Sequence, residues 1–254
     1  MLFLSLLKKE IAYFTNFDNK MYQFLLFFQP LVFLTIFYFL LQFREGVDPG
    51  RYVVASALIS MWSYVLYSSG SALISQKWSE TLKLLIAAPI SLFTILLTKA
   101  ISNSFIALLT MFISFLYATV IFRFNIQFEH FGVFLLAVVV LLASLAVIGM
   151  MLAVVFAAFQ NVYDYQNLIL TPILLLCGVF IPVSEMPAIL QWIAYLFPMT
   201  WGIKGVYESI TMANGVYLSL IICFVCSAFY LLLSWVVIKR MESVLKNSGK
   251  VGAL

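Results

Sequence analysis

Six long stretches without a charged residue constrain the fold of this chain more than any other feature of its sequence. Each has at least 20 residues, and a helix of about 20 residues crosses the ~30 Å hydrocarbon core of a bilayer. Hydrophobic residues make up 65% of the chain and charged residues 9%, whereas about a quarter of the residues in soluble domains are charged. We therefore predict an all-α polytopic membrane protein, with six transmembrane helices in a single transmembrane domain over residues 1–254. The six stretches are 21–43, 52–76, 100–122, 131–163, 165–184 and 209–238.

The basic residues between these stretches predict how the chain is oriented. Six spans place both termini on the same side, so the connecting segments fall into two groups. One group carries ten Lys or Arg residues and the other carries four, and cytoplasmic loops are the ones enriched in these residues. We therefore expect a multi-pass protein of the plasma (bacterial inner) membrane with both termini cytoplasmic. The predicted cytoplasmic group is Lys8, Lys9, Lys20, Lys77, Lys83, Lys99, Lys239, Arg240, Lys246 and Lys250, and the outer group is Arg44, Arg51, Arg123 and Lys204.

Residues 1–20 precede the first stretch and show a helical period. Phe3, Leu7 and Phe14 share one face, with Lys8 and Lys9 on the other. This pattern predicts an amphipathic helix that lies along the cytoplasmic membrane surface. A secretory signal peptide is the alternative, but here the basic residues follow the short apolar stretch instead of preceding it.

Residues 182–211, between the fifth and sixth stretches, have the pattern of two short amphipathic helices. Pro187 and Pro198 punctuate the segment, and Thr200 suits the cap of the second helix. Each helix would have about a dozen residues, too few to cross ~30 Å of hydrocarbon. Aromatic residues of the kind found at the lipid–water boundary accompany them. We predict an extracytoplasmic re-entrant helical hairpin between spans five and six. Its boundary aromatics are Trp192, Tyr195, Trp201 and Tyr207.

Residues 76–90 form a second informative segment, on the predicted cytoplasmic side. Leu82, Leu85 and Ile86 share one face of a short helix that Pro89 would end. The pattern leaves two interpretations open. The helix is either a connector lying on the membrane surface or an element that docks into a groove on a soluble partner.

The six stretches contain no Asp, Glu, Lys, Arg or His, which restricts both the energy source and the chemistry. Transporters driven by ion gradients need titratable or cation-binding groups near mid-membrane. The single histidine, His130, falls in a predicted outer loop, where we expect it to be exposed. Lys204 and Glu208 are spaced i,i+4, which predicts a weak surface ion pair, with gating of the substrate as the alternative. We expect no catalytic residue, metal or cofactor in this chain.

The three cysteines all lie within apolar stretches. Their odd number argues against a disulfide framework, and free Cys packs as a small hydrophobic residue. Two of them form a Cys-x-x-Cys pair without a nearby His or acidic residue, so we predict packing and not metal binding. The three are Cys177, Cys223 and Cys226.

Both informative segments resemble the six-span permease subunits of type-2 ABC exporters. The first is similar to that family's Thr-Leu-Glu-x-Leu pattern followed by Pro and then a basic residue. The second is similar to its G-x-x-x-P…P-x-x-L-Q-x-I-x-x-x-N-P-x-x-W/Y pattern. In this chain Lys83 replaces an acidic residue, Phe197 replaces Asn, and Tyr207 stands where Arg is common. The matching residues are Thr81, Leu82, Leu85, Pro89 and Lys99 in the first, and Gly178, Pro182, Pro187, Leu190, Gln191, Ile193, Pro198 and Trp201 in the second.

The resemblance implies a permease that pairs with a second copy, identical or paralogous, within the lipid of the membrane. Each copy would bind a cytoplasmic ABC ATPase, which holds the ATP and Mg²⁺, and closure of the ATPases would open a path outward. The implied residues that dock the ATPase are Lys77, Glu80, Thr81, Leu82, Lys83, Leu85 and Pro89. The implied outer gate comprises Pro182, Glu185, Pro187, Trp192, Phe197, Pro198, Trp201, Lys204 and Glu208.

The resemblance and the neutral, aromatic-rich spans together imply export of a hydrophobic or amphipathic compound: a drug, an antibiotic, a peptide or a lipid-like molecule. Export of a lipid-linked glycan is one alternative. A non-transporting membrane scaffold subunit is another. A lipid-modifying enzyme is disfavoured because the sequence offers no metal cluster and no nucleophile–base pair.

Overall fold

The computed structural model describes residues 7–10, 20–43, 49–70, 90–124, 128–158 and 162–248, and every regular element among them is helical. The first long helix, α1, runs continuously through Lys20–Gln23, a π-helical Phe24–Phe28 and Gln29–Gln42. The all-α prediction is confirmed for these residues. The other helices are α2 (Pro49–Gly70), α3 (Leu92–Val120), α4 (Phe131–Ala158), α5 (Val162–Leu176), α6 (Ala188–Leu196), α7 (Pro198–Ile210) and α8 (Val216–Ser248), with a 3-10 turn at Val183–Glu185.

Four helices in the described part of the chain are long and apolar enough to cross a membrane. α2 and α5 are not among them. The side chains of α2 are described without a break only over residues 49–65, which is too short a stretch to count as a span, and the 15 residues of α5 span only about 22 Å. The arrangement of six spans therefore stays a prediction. The four candidate spans are Phe24–Gln42, Leu92–Val120, Phe131–Phe156 and Val216–Val244.

Two of the predicted cytoplasmic elements lie largely outside the described residues. Of the predicted interfacial helix at 1–20, residues 7–10 and residue 20 are described and are helical. Of the predicted coupling helix at 76–90, only Ile90 is described. All the predicted docking residues, from Lys77 to Pro89, therefore lie outside the described part of the chain.

α2 is the centre of the helix packing. Every side chain from Val53 to Val65 on this helix is buried, and α2 packs against α1, α3 and α4. Ser60 donates to the carbonyl of Ser56 at 2.9 Å and Ser68 to that of Tyr64 at 2.6 Å, each one turn back, so these hydroxyl groups are satisfied away from water. Gln29 of α1 donates to the hydroxyl of Ser63 at 2.8 Å. Polar contacts of this kind, and not apolar area alone, hold α2 against its neighbours.

The end of the bundle where α3 begins is held by two acidic residues that are distant in sequence. Glu10 lies 3.3 Å from Lys99, and both side chains are largely buried. The backbone N–H of Leu92, at the start of α3, donates to the carboxylate of Glu242 on α8 at 3.2 Å. We call this the opposite end, to distinguish it from the hairpin end formed by residues 177–215.

Lys99 lies inside a helix that starts earlier than the sequence indicated. We began the third span at residue 100, after this lysine, but Lys99 is the eighth residue of α3, which begins at Leu92. The ion pair with Glu10 stabilises Lys99 at this largely buried position, because a paired lysine avoids the cost of a buried lone charge. The sixth span also starts later than expected, since Ser209 and Ile210 belong to α7 and α8 begins at Val216.

Candidate functional site at the hairpin end

The hairpin starts with a sharp turn after α5 that requires glycine. Gly178 has φ +87°, a conformation that other residues rarely adopt. A Cβ at this position would also lie 3.0 Å from the Val183 side chain. Pro182, the 3-10 turn and Pro187 then lead into α6, and Pro187 is its N-cap.

The start of α7 corrects the predicted cap at Thr200. α7 begins at Pro198 with Phe197 as its N-cap, because a proline at the first helical position needs no N–H partner and already has a helical φ. Thr200 therefore lies inside the first turn, where its hydroxyl donates to the carbonyl of Ala194 at 2.6 Å. This hydrogen bond joins α7 to α6 across the proline turn.

α7 runs antiparallel to α8 and lies against it over its whole length. Ser219, near the start of α8, contacts Glu208, near the end of α7. Further along α8, Cys223 lies beside Gly202, and the hydroxyl of Tyr230 donates to Leu196 at the end of α6. The junction of α6 and α7 is therefore about 15–20 Å along α8 from its first residue.

Two glycines allow α7 to approach its neighbours closely. A Cβ at Gly202 would lie 2.8 Å from the Cδ1 atom of Leu141 on α4 and 3.2 Å from the Cα atom of the same residue. A Cβ at Gly205 would lie 2.7 Å from a terminal methyl of Leu220 on α8. Small residues at such crossings let helix backbones pack tightly in a membrane.

A cleft of about 280 Å³ opens between α7, the turn after α5 and the first turn of α2. Its wall contains buried residues such as Cys177 and Ile203. Three of the predicted gate residues line it, namely Pro182, Lys204 and Glu208. The remaining lining residues are Arg51, Gly178, Val183, Ser184, Tyr195, Thr200 and Tyr207.

The other predicted gate residues surround the cleft without lining it. The Trp201 ring lies tilted against the Tyr195 ring with the ring centres 5.0 Å apart, and its indole N–H donates to the Tyr195 carbonyl at 3.1 Å. Trp192 on α6 is 78% exposed, so it faces outward from this chain. The remaining predicted gate residues hold backbone positions: Glu185 ends the 3-10 turn, Pro187 and Phe197 are N-caps, and Pro198 is the buried first residue of α7.

Arg51 and Tyr207 form a contact that the sequence did not reveal. The guanidinium carbon of Arg51 lies 5.3 Å from the centre of the Tyr207 ring, which is a cation–π arrangement. The Tyr207 hydroxyl donates to the carbonyl of Val179 at 2.7 Å. Burial raises the pKa of Tyr207 above its usual range, against the opposing effect of Arg51, so this hydroxyl remains a donor. Arg51 and Tyr207 are too far apart in the chain for any local pattern to pair them.

The predicted pair of Lys204 and Glu208 is confirmed, with a nitrogen–oxygen distance of 3.7 Å. Lys204 also lies over the Trp201 ring, 5.4 Å from its centre. The second carboxylate oxygen of Glu208 accepts a hydrogen bond from Ser219 at 2.6 Å. Glu208 therefore links the last turns of α7 to the first turn of α8, which is more than the surface pair that the spacing indicated.

The cysteines and the histidine lie as the sequence predicted. Cys177, Cys223 and Cys226 are free, and His130 is exposed in the loop before α4. Within the described residues no group of three or more His, Cys, Asp or Glu side chains is placed to hold a metal ion.

Comparison with known families decides what kind of protein carries this hairpin. A family model described as ABC-2 type transporter matches residues 1–211, which covers every helix from the N-terminal segment through α7. The chain belongs to the ABC-2 type transporter family. It is a multi-pass permease subunit of a type-2 ABC transporter, as its sequence resemblance implied. No curated protein matches the permease.

Proposed function

We propose that the permease is the membrane half of an ATP-driven exporter that moves a hydrophobic or amphipathic compound out across the plasma membrane. The observation that carries this proposal is the family match over residues 1–211. The charge pattern supports it. Charged residues within the four candidate spans are Lys99, Lys239, Arg240 and Glu242, and all four lie at the opposite end of the bundle. An ion-driven mechanism would call for such groups near mid-membrane, so the energy comes from a separate ATPase that binds ATP and Mg²⁺.

The partner ATPase docks at the opposite end, through the predicted helix at 76–90 and the N-terminal segment. Contacts at that end support a route by which movement of the ATPase could reach the transmembrane helices. Segment 76–90 leads directly into α3, whose first turns contact Glu10 in the N-terminal segment and Glu242 on α8. A push on the docking helix would therefore act on α3 and α8 together. In this proposal both termini are cytoplasmic and the hairpin end faces outward.

The hairpin functions as a re-entrant outer gate. The depth of the junction between α6 and α7 along α8, about 15–20 Å, supports an insertion of roughly half the bilayer. Two permease copies form the transport path between them, and the apolar exposed face of α6, which includes Ile189 and Trp192, is available to lipid or to the second copy. A transport path lined by the neutral aliphatic and aromatic side chains of the spans would suit an amphiphile better than a highly charged solute.

Reconstitution tests the energy source. The permease and its ATPase, purified together in proteoliposomes, should export a fluorescent amphiphile when ATP and Mg²⁺ are supplied. The permease alone should be inert, even under a proton or sodium gradient. Uphill transport by the permease alone under an ion gradient would refute the proposal, and a complex that never moves any amphiphile would favour the scaffold alternative.

Substitution within residues 76–90 tests the docking assignment. We expect Leu82→Asp to abolish co-purification of the ATPase, because it places a charge on the apolar face that would seat in the partner's groove. Leu82→Met is the matched control and should retain both binding and transport. If Leu82→Asp leaves ATPase binding and ATP-driven transport intact, this segment does not dock the ATPase.

A further inference from the structure

The cleft at the hairpin end has charged side chains where it is exposed and apolar ones where it is closed. Arg51 in the first turn of α2 and Lys204 on α7 bring two positive charges to it. Among the described lining residues, Glu208 is the only carboxylate. Lys204 is about half exposed, whereas Cys177 and Ile203 on the wall are buried. The cleft therefore combines a cationic, accessible rim with an apolar interior.

Both oxygens of the Glu208 carboxylate are engaged by neighbouring residues. One of its oxygens accepts the hydrogen bond from Ser219 at 2.6 Å. The other oxygen pairs with Lys204 at 3.7 Å and lies 3.0 Å from where a Cβ would be on Gly215. Both oxygens are thus held against the start of α8. Glu208 fixes the position of Lys204 while cancelling only part of the positive charge at the rim.

Arg51 is held in a way that preserves its capacity to bind an anion. Its guanidinium carbon lies 5.3 Å from the centre of the Tyr207 ring, and a cation–π contact depends on the charge of the group and not on a hydrogen-bond acceptor. The N–H donors of a guanidinium point outward in its plane, where they can take two oxygens of a carboxylate or phosphate. Tyr207 is itself fixed by its hydrogen bond to Val179, so the guanidinium is positioned by a rigid support.

We propose that this cleft binds the anionic head, a phosphate or a carboxylate, of an amphiphilic molecule whose chain lies along the apolar wall. The head would sit between Arg51 and Lys204 at the level where α8 begins, and the chain would point towards the middle of the membrane. This orientation matches that of a lipid in the adjacent leaflet. The inference rests on the proposed function only in assigning the hairpin end to the outer leaflet.

Native mass spectrometry of the full chain, released from a neutral maltoside detergent, measures the binding directly. Phosphatidylglycerol is the probe for a lipid phosphate, and oleate, with oleyl alcohol as its uncharged match, is the probe for a carboxylate. Glycerol 3-phosphate presents the charged head without a chain. We expect adducts with phosphatidylglycerol and oleate, and weaker ones by tenfold or more with oleyl alcohol, phosphatidylcholine and glycerol 3-phosphate.

Matched variants assign the binding to the cleft. Arg51→Gln should weaken phosphatidylglycerol binding by about tenfold or more, because it removes a charge-assisted contact, and Lys204→Gln should weaken it less. Arg51→Lys keeps the charge but loses the fork of N–H donors, so its affinity should lie between those of the unaltered chain and Arg51→Gln, which distinguishes lost recognition from misfolding. Lys239→Gln is the control, since Lys239 also lies over a tryptophan ring, that of Trp235 at 4.9 Å, but at the opposite end. It should change the affinity by less than twofold.

Three results would overturn the inference: unchanged phosphatidylglycerol binding in Arg51→Gln and Lys204→Gln, equal binding of phosphatidylcholine, or equal binding of glycerol 3-phosphate. The assay needs neither the ATPase nor transport. Intact, Arg51-dependent binding without any ATP-driven export would therefore refute the proposed function and leave this inference standing.

Discussion

Gly202 is the position where a single added methyl group should reveal how closely α7 approaches its neighbours. In Gly202→Ala the new Cβ would meet the Leu141 methyl at 2.8 Å, the Leu141 Cα at 3.2 Å and the Cys223 sulfur at 3.2 Å. Favourable carbon–carbon contacts lie at about 3.5–4.0 Å. A leucine methyl can rotate away, but the Cα of Leu141 belongs to the backbone of α4, so the two helices must separate.

The expected magnitude comes from two opposing contributions. Overpacking of this kind costs about 1–3 kcal/mol, whereas replacing a helical glycine with alanine stabilises a helix by up to about 1 kcal/mol. Gly132→Ala is the matched control, because nothing lies within 4 Å of the Cβ it would add on α4. We expect Gly202→Ala to be less stable than Gly132→Ala by about 1–3 kcal/mol. Gly205→Ala should fall between them, since its closest contact is the flexible end of Leu220.

Unfolding by SDS in mixed micelles, followed by circular dichroism, gives the three free energies of unfolding. Leu141→Ala should cost less in the Gly202→Ala background than in the unaltered chain, by a favourable coupling of about 0.5–3 kcal/mol. The relief should be incomplete, because the contact with the Leu141 Cα remains. Equal stability of Gly202→Ala and Gly132→Ala would show that α7 does not pack against α4 as closely as the structure has it.

Two further predictions concern charged contacts at the two ends of the bundle. Glu208→Gln should destabilise the chain by about 1–2 kcal/mol, because the Ser219 hydroxyl keeps only a neutral acceptor and the pair with Lys204 is lost. Lys204→Gln should cost only about 0–1 kcal/mol, because that lysine is half exposed. SDS unfolding compares the two variants, and equal costs would contradict the reasoning. A double-mutant cycle of Glu10→Gln and Lys99→Gln should give a coupling energy of about 1–3 kcal/mol. This energy should exceed the coupling of Lys204 with Glu208, because the Glu10–Lys99 pair is more buried. A coupling energy near zero would mean that the N-terminal segment does not contact α3.

Local patterns in the sequence predicted helices far better than they predicted contacts. The charge-free stretches indicated α1, α3, α4 and α8, and Pro187 and Pro198 marked the starts of α6 and α7 to within a few residues. Periodicity could not place Lys99 inside α3, because the residue that makes this possible, Glu10, lies in a different segment. A charged residue ends a hydrophobic stretch in a reading of the sequence. In the structure, an ion-pair partner from another segment allows the helix to extend past that residue.

The same limit applies to the candidate site. The i,i+4 spacing of Lys204 and Glu208 was readable because both residues lie on one helix. The contacts of Arg51 with Tyr207 and of Glu208 with Ser219 join separate helices. The sequence marked Tyr207 only as a boundary aromatic and as a departure from the family's usual Arg, and neither signal pointed to Arg51 on α2.

The contacts of α7 also predict how the hairpin moves. Because Gly205, Glu208 and Tyr230 fix α6 and α7 along α8, we expect α7 and α8 to move as one body, with the change in shape at the turn around Gly178.

The Cβ that Gly205 would carry lies 3.8 Å from the Cβ of Ser219, which is about the mean separation in a disulfide. Gly205→Cys combined with Ser219→Cys should therefore cross-link on mild oxidation, as seen by mass spectrometry and loss of thiol labelling. The cross-linked permease should retain ATP-driven transport, with each single variant under the same oxidant as the control for pairing with native cysteines. Transport that stops on oxidation of the double variant alone, and returns with a reductant, would show instead that α7 slides along α8 when the gate opens.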